Sequence, residues 1–307
     1  MGVLKSHLAE DTNRERQRTT LGEYSRIAFR KLYKAVHPGL VDISFLYSEV
    51  PQSPGSIPRR VYQTWKEPAL PSVHALGVKR FRRLNPDCSF EFFDDERMAS
   101  YMRSNYAGHP ILDVFERITV PASKADVWRY CILYREGGIY CDIDSSLSIP
   151  FRELLKGDPA ELLSFEGNPW SELLAVGSFA DPALFLPRPP DSVVPKLEHP
   201  DNSVLNWLLC FEKGHPLLAE VIDLIVRHFP FFDGRQFESV WQAVVHATGP
   251  LAFTQAVWRW MERTGNRPEQ RGIDFGGKGV FKIPGSGERY AVSPHYMQMK
   301  RTSLTGN

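Results

Sequence analysis

The chain shows alternating strand-like and helix-like patterns of apolar residues between positions 59 and 144. Short apolar runs bounded by polar or glycine residues predict buried strands at 61–65, 89–93 and 139–143. Apolar residues at helical spacing between these runs predict helices at 72–85, 95–105 and 122–136. Because strands that alternate with helices are typical of an α/β protein, we expect a mostly parallel central sheet flanked by helices.

The pattern becomes mainly helical after position 144. Helical spacing predicts helices at 203–211, 215–229, 239–248 and 251–264, and the proline-rich stretch 185–200 predicts a loop. The sequence contains no internal repeat and no low-complexity tract. It therefore predicts one domain over residues 57–307, with a more helical C-terminal half, preceded by a helical extension over residues 1–56.

The helix predicted within that extension has two interpretations. Residues 21–35 place apolar side chains among four basic ones, Arg26, Arg30, Lys31 and Lys34. A basic amphipathic helix of this kind binds anionic membrane surfaces. A helix of the same composition also packs on a protein core through its apolar face. The sequence leaves both interpretations open.

Composition excludes several classes of protein. The chain has 307 residues, 42% of them hydrophobic and 24% charged, which is enough for one large core. The net charge of +1 argues against nucleic acid as a partner. No apolar run approaches the ~18 residues of a membrane span, and the N-terminus shows no signal-peptide pattern. We therefore expect a cytoplasmic protein or one peripheral to the inner membrane face, and its four cysteines are expected to be reduced and buried.

Two carboxylates end the third predicted strand. Asp142 and Asp144 stand two positions apart, and residues i and i+2 of a strand point to the same side. Oxygen ligands that converge at the end of a strand suit Mg²⁺ or Mn²⁺, with a phosphate-bearing substrate completing the coordination shell. The bare Asp-x-Asp pattern is common and usually marks a solvated turn. The preceding helix, which carries Asp126 and Arg129 on one face, and the glycine pair at 137–138 make this instance more specific.

This block resembles the signature of the glycosyltransferases with a DXD sugar-binding region. That family includes yeast-type initiating α-1,6-mannosyltransferases and inositol-phosphoceramide mannosyltransferases, and it is distantly similar to the glucosylating domains of large clostridial toxins. Further stretches agree with it in order and spacing: IPRRVYQTW at 57–65, NPDCSFEFFDD at 85–95 and TGP at 248–250. Phe93 stands where the family usually has tryptophan.

The resemblance implies a GT-A-type fold that binds a nucleotide sugar. It implies metal-dependent transfer of a hexose, with retention of anomeric configuration, from a UDP- or GDP-linked donor to a glycan or glycolipid acceptor. Asp142 and Asp144 would hold the metal, and Asp142 would also face the ribose. Asp126 and Arg129, with Tyr130 as a secondary candidate, would bind the donor sugar. A structural Asp–Arg helix pair is the alternative interpretation of the first two.

The same resemblance places an aromatic side chain near the nucleotide base, and Trp65 occupies that position. Gln63 and Thr64 lie beside it and are candidates for polar contacts with base or ribose. Asn206 would lie near the anomeric carbon, although it is also a suitable helix cap or buried amide. Folds of this kind often take a third metal ligand from the C-terminal region, where His295 is the best-placed candidate.

Other functions remain open at this point. A protein-modifying enzyme of the toxin or effector kind would use the same donor chemistry on a polypeptide. A non-catalytic nucleotide-sugar-binding protein would not need the metal-binding carboxylates. A metal-dependent phosphohydrolase normally has more ligands, often histidines, than this chain clusters. The sequence therefore favours a glycosyltransferase in polysaccharide or glycolipid biosynthesis.

Overall fold

The computed structural model describes residues 21–43, 50, 55–169, 181, 183–280, 283 and 303–306. Its strands are β1 (Leu40–Asp42), β2 (Arg60–Thr64), β3 (Ala69–Pro71), β4 (Ser89–Phe93), β5 (Gly138–Cys141), β6 (Ser146–Leu147), β7 (Glu161–Pro169), β8 (Asn202–Val204), β9 (Leu208–Phe211), β10 (Gln270–Ile273) and β11 (Gly279–Val280). Its helices are α1 (Leu21–Val36), α2 (Ser72–Leu84), α3 (Asp95–Asn105), α4 (Pro110–Arg117), α5 (Pro121–Glu136), α6 (Phe151–Leu154), α7 (Pro216–Phe232), α8 (Val240–Ala247), α9 (Pro250–Thr264) and α10 (Asp274–Gly277).

A mixed seven-stranded sheet forms the centre of the fold. Its strand order is β10-β7-β9-β5-β2-β4, with β8 paired to β7. Strand β2 pairs in parallel with β4 and β5, and β7 pairs in parallel with β10. Strand β9 runs antiparallel between β5 and β7, so five of the seven strands share one direction. The prediction of an α/β fold with a mostly parallel sheet is confirmed.

The predicted elements that precede the Asp142 carboxylate are confirmed to within two residues at each end. The helix predicted at 203–211 is wrong, because this stretch forms β8 and β9. Every residue of β9 is buried, and the strand is hydrogen-bonded to β5 on one side and β7 on the other. A short run of apolar residues that is buried on both faces shows neither the twofold alternation of a strand nor the 3.6-residue spacing of a helix. Its sequence therefore cannot distinguish the two, and it forms a strand because it pairs with the neighbouring strands of the sheet.

Helices cover both faces of the sheet. On one face Trp128 of α5 packs against Phe93 and Tyr140, with ring centroids 4.7 and 6.2 Å apart. On the other face Phe81 of α2 packs against Phe90 at 6.0 Å. Phe90 and Phe93, three positions apart in β4, therefore point to opposite layers, as strand geometry requires. All four cysteines are buried and free of disulfide bonds, as expected.

The glycine pair after α5 allows the chain to reverse into β5. Gly137 and Gly138 have φ angles of +69° and +105°, which favour glycine. A Cβ at Gly137 would lie 2.7 Å from the Lys213 backbone nitrogen, and one at Gly138 would lie 2.7 Å from the Arg60 carbonyl oxygen. The pair therefore fixes how α5 and β5 meet, and with them the residues that each carries to the site.

None of the helices in the described part of the chain is long and apolar enough to cross a bilayer. Strand β1, which follows α1, pairs antiparallel with β3 through Leu40 and Pro71. Helix α1 is thereby attached to the strand that precedes α2.

Buried His228 in α7 makes the folding stability of the protein depend on pH. Its Nε2 atom accepts a hydrogen bond from the Asp181 backbone N–H at 2.7 Å, and burial lowers the pKa of the imidazole to about 4. The unfolded chain binds a proton there with a pKa of 6.5, so it holds more protons than the folded protein between the two values. Folding stability therefore falls as the pH is lowered through this window, by about 3 kcal/mol in total.

We expect His228→Gln to lose much of this acid sensitivity, because glutamine offers an acceptor oxygen but takes up no proton. Thermal melts of wild type and variant at about pH 7 and about pH 4.5 measure the difference. An equal drop in melting temperature for both proteins would contradict the assignment.

Candidate functional site

The two DXD carboxylates lie in a turn at the carboxyl end of β5. The strand ends at Cys141, the Asp142 N–H donates to the Trp207 carbonyl at 2.9 Å, and the Ser145 N–H donates to the Asp142 carbonyl at 3.0 Å. The prediction that β5 extends to residue 143 is therefore wrong. A β-turn, rather than strand alternation, sets the direction of the carboxylates.

Contacts from three other parts of the chain fix this turn. A ring nitrogen of His74 lies 3.0 Å from the Ile143 carbonyl oxygen, and His74 is fully buried in α2. The Ile283 N–H donates to the Asp144 carbonyl at 2.5 Å. The Tyr140 hydroxyl donates to Asp142 Oδ1 at 2.5 Å. The turn is thus held through its backbone and through one carboxylate oxygen.

The two carboxylates differ in exposure. The Asp142 side chain is 29% exposed, whereas Asp144 is 6% exposed as a residue. The Ser145 hydroxyl donates to Asp144 Oδ1 at 3.4 Å. Asp142 is therefore open to solvent at the end of the sheet, and Asp144 lies deeper beside it.

Arg129 links the turn to helix α5. Its Nη2 atom lies 3.1 Å from Asp126 Oδ1 and 3.5 Å from Asp142 Oδ1, and its Nη1 donates to the Asn206 carbonyl at 2.7 Å. The guanidinium lies over the Tyr140 ring, 4.3 Å from the centroid. One buried cation therefore contacts both the predicted sugar-binding carboxylate and the predicted metal-binding carboxylate.

The side chains of Asn206 and Tyr130 complete a buried polar cluster. Asn206 Nδ2 donates to Asp126 Oδ1 at 3.4 Å and to the Tyr130 hydroxyl at 3.3 Å. Thr248 Oγ1 donates to Asp126 Oδ2 at 3.0 Å, and the Tyr130 hydroxyl donates to the Thr248 carbonyl at 3.0 Å. The structure thus brings together Asp126, Arg129, Tyr130, Asp142 and Asn206 from three separate stretches of the chain.

The polar cluster and the DXD turn together contain more carboxylates than cations. Burial raises the pKa of Asp126 to about 6, against the opposing effects of Arg129 and the Thr248 hydrogen bond. Burial lowers the pKa of Arg129, but Tyr140, Asp126 and Asp142 raise it by more, so the net shift is upward. Arg129 is therefore a fixed cation beside Asp126 and Asp142, and Asp144 adds a further carboxylate. Such an excess of carboxylates at a strand end is suited to a divalent cation.

Comparison with known proteins agrees with this geometry. Residues 71–161 match the family described as "Glycosyltransferase sugar-binding region containing DXD motif", and this range includes α2, β4, α5 and the turn after β5. Residues 71–161 are therefore similar to the sugar-binding region of the DXD glycosyltransferases. The resemblance predicted from the sequence is confirmed.

The chain is similar to two curated mannosyltransferases of Schizosaccharomyces pombe. It is 26% identical to inositol phosphoceramide mannosyltransferase 3 over 208 residues, which cover 66% of this chain and 45% of the relative. It is 27% identical to the initiation-specific alpha-1,6-mannosyltransferase over 220 residues, which cover 69% and 50%. The chain spans about half the length of the curated relatives it matches. Among solved structures, the PaToxG glycosyltransferase is similar with a TM-score of 0.45 and 16% identity, over 77% of this chain and 79% of that chain.

The residues predicted to hold the nucleotide base adjoin the DXD turn. Trp65 is half-buried and packs in one apolar cluster with Ile43, Ile143 and Ile283. Gln63 Oε1 accepts from Arg82 Nη2 at 3.1 Å, and Gln63 Nε2 is buried without a hydrogen-bond partner among the described residues. That amide nitrogen fits a carbonyl acceptor such as those of uracil or guanine.

The hydroxyl of Thr64 makes a hydrogen bond within the sheet. Its Oγ1 donates to the Phe93 carbonyl at 2.7 Å, which links β2 to the end of β4. A contact of Thr64 with the donor stays a prediction.

The DXD carboxylates are the metal-ligand candidates that the structure describes. His295 lies outside the described residues, and within them no three His, Cys, Asp or Glu side chains are grouped as a metal site. Two carboxylates are sufficient when phosphate oxygens and water supply the other ligands. Asp142 and Asp144 therefore fit Mg²⁺ or Mn²⁺ bound together with a diphosphate.

Sequence reasoning missed or could not rank other residues near the site. The buried His74 gave no signal because its partner is distant in sequence, and Thr248 was noted only as part of the TGP stretch, without a contact to Asp126. Glu166 in β7 is one of the residues that could not be ranked: burial, then Asp274 and Asp142, raise the pKa of its carboxyl to about 7. Glu166 is therefore in electrostatic reach of the DXD turn.

A separate cavity of about 670 Å³ lies between β2, β4 and α3. Arg60, Glu91 and Tyr101 are among its lining residues, and none of the residues of the Arg129 cluster lines it. Cavity volume alone would therefore place the site away from the DXD region.

Proposed function

We propose that the protein is a retaining, metal-dependent glycosyltransferase that moves a hexose from a UDP- or GDP-linked sugar to a glycan or glycolipid acceptor. The observation that carries this proposal is the Arg129 bridge, which joins the DXD carboxylate Asp142 to Asp126, both within the matched sugar-binding region, and to Asn206 outside it. The similar S. pombe proteins are named as mannosyltransferases, one of them for inositol phosphoceramide. A mannose donor and a glycolipid acceptor are therefore the first substrates to test.

Different residues of the chain would bind the metal, the sugar and the base. Asp142 and Asp144 would hold Mn²⁺ or Mg²⁺, which neutralises charge that develops on a diphosphate leaving group. Asp126 and Asn206 present carboxylate and amide groups suited to sugar hydroxyls, and Arg129 keeps both oriented. The buried amide of Gln63, with the Trp65 ring, provides a polar and an aromatic contact for the base.

Retention requires no protein nucleophile if the acceptor attacks from the face that the diphosphate leaves. In that case the departing diphosphate accepts the acceptor's proton, and the protein's task is to orient the donor and exclude water. The buried position of the cluster supports this division of roles, since preorganised polar groups act most strongly away from water.

The first experiment is a thermal-shift screen of UDP- and GDP-sugars, each with and without Mn²⁺, on wild type and Asp144→Ala. A ligand that binds only the native state stabilises it by about 2.7 kcal/mol at a hundredfold excess over Kd. We expect a Mn²⁺-dependent rise in melting temperature with one class of nucleotide, absent from the variant. A shift that is independent of Mn²⁺, or equal in both proteins, would contradict the proposed role of the DXD turn.

A further inference from the structure

Helix α1 exposes a row of large apolar side chains. Phe29, Leu32 and Val36 are spaced i, i+3 and i+7, so they share one face, and their exposed fractions are 46%, 66% and 63%. Leu40 continues this apolar row at the start of β1, with 49% exposed. In the part of the chain that the structure describes, Tyr134 at 37% is the one other large apolar residue in the exposed class. Exposed apolar area concentrated in this way marks an interaction surface.

Basic side chains form what we call the basic border: Arg80 lies beside Phe29 of the row, whereas Lys31 and Lys34, at about 100° per residue, lie on the opposite side of α1 from it. Lys31 and Lys34 are exposed on α1, and Arg80 and Arg83 are exposed on α2, which packs along α1. The Arg80 guanidinium lies over the Phe29 ring at 5.8 Å from its centroid. The sequence from 28 to 40 contains no acidic residue. The border is therefore of one sign, and it is complementary to an anionic partner.

We propose that the apolar row and its basic border bind the surface of an anionic lipid bilayer. A helix that carries large apolar side chains on one face and lysines on the other lies in the headgroup plane, with the apolar side chains reaching the acyl boundary. Long basic side chains at that depth direct their charges to the lipid phosphates. An anionic bilayer offers acyl chains to the apolar row and phosphates to the basic border.

The apolar row leads to the DXD region. Leu40 pairs with Pro71 in the β1–β3 ladder, and Ile43, which follows β1, packs in the same apolar cluster as Trp65 and Ile143. Ile143 is the central residue of the DXD turn. Bilayer binding through α1 would therefore hold the site beside lipid headgroups, and this consequence for the acceptor rests on the proposed function.

Vesicle co-sedimentation of the full chain tests the proposal. Wild type is expected to sediment with vesicles of phosphatidylcholine and phosphatidylserine, and to bind pure phosphatidylcholine vesicles much more weakly. Leu32→Ser/Val36→Ser is expected to bind at least about tenfold more weakly, since two apolar side chains no longer enter the bilayer. Lys31→Glu/Lys34→Glu is expected to weaken binding by at least about fivefold for each lysine replaced, because each change removes a positive charge and adds a negative one.

Matched variants control for hydrophobicity and net charge. Tyr134→Ser removes an exposed apolar side chain outside the row, and Lys156→Glu/Lys213→Glu makes the same charge change elsewhere; both are expected to bind like wild type. The proposal is overturned if wild type fails to bind anionic vesicles, or if the Ser variant binds as well as wild type. It is also overturned if the row instead mediates a dimer, seen in gel filtration as a wild-type dimer that the Ser variant dissociates. Donor-induced thermal shifts on the same preparations report the proposed enzymatic function separately.

Discussion

Asp144→Ala is expected to reduce the rate of hexose transfer by about a thousandfold or more while leaving the fold intact. Asp142 would remain as the single DXD carboxylate, and a hard divalent cation in such a site depends on one or two carboxylates in addition to phosphate oxygens. The backbone bonds that hold the turn, from Asp142 to Trp207 and from Ser145 to Asp142, do not involve the Asp144 side chain. The rate of nucleoside diphosphate release at saturating Mn²⁺, together with the melting temperature of the ligand-free variant, measures both parts of this prediction.

Asp223→Ala provides the matched control, because it removes an exposed carboxylate of α7 that is paired with Arg227 at 2.8 Å. Its rate and metal dependence are expected to equal those of wild type. An active Asp144→Ala variant whose rate does not depend on Mn²⁺ would exclude Asp144 as a metal ligand.

Asp126→Ala is expected to lower the free energy of unfolding by about 3–5 kcal/mol, because it leaves the buried Arg129 guanidinium without its nearest carboxylate. The Arg129 and Asp126 side chains are each only 7% exposed, so water cannot replace the lost partner. The Asn206 and Thr248 hydrogen bonds to Asp126 are lost at the same time. Urea denaturation of wild type and variant measures the change.

Two control variants show how much of the loss comes from the charge of Asp126 and how much from its burial. Asp126→Asn keeps an oxygen that can accept from Thr248 and removes only the charge, so a smaller loss of stability is expected. Asp223→Ala breaks an exposed ion pair and is expected to cost at most about 1 kcal/mol. An Asp126→Ala variant within that same range would show that the buried pair does not form.

The sequence selects residues that the fold brings together, but it does not predict how they are arranged. Asp142 and Asp144 stand two positions apart in one turn, and Asp126 and Arg129 come from one helix face, so local spacing was sufficient to select them. Gly137 and Gly138 likewise have the positive φ angles that a glycine pair at the end of a helix predicts. Local periodicity therefore identified the residues, the helix and the approximate end of the strand.

Contacts between distant parts of the chain were not predictable in this way. His74 reaches the Ile143 carbonyl, and Thr248 reaches Asp126, across 69 and 122 residues of sequence. The stretch around Asn206 was predicted as a helix, because the apolar run that follows has no period of its own. Only pairing with β5 and β7 makes that run a strand, and the turn before it brings the Asn206 carbonyl to Arg129.

The central claim is that the DXD turn and the Arg129 cluster support sugar transfer, and the most direct measurement is mass spectrometry of the acceptor. Glycolipid-containing vesicles are incubated with the donor selected by the thermal-shift screen, with Mn²⁺ or with a chelator. The account predicts a glycolipid heavier by one hexose and an equal amount of nucleoside diphosphate, both absent with the chelator and with Asp144→Ala. Mn²⁺-dependent donor binding with no transfer, and with no diphosphate release from any donor, would contradict it and indicate a nucleotide-sugar-binding protein without catalysis.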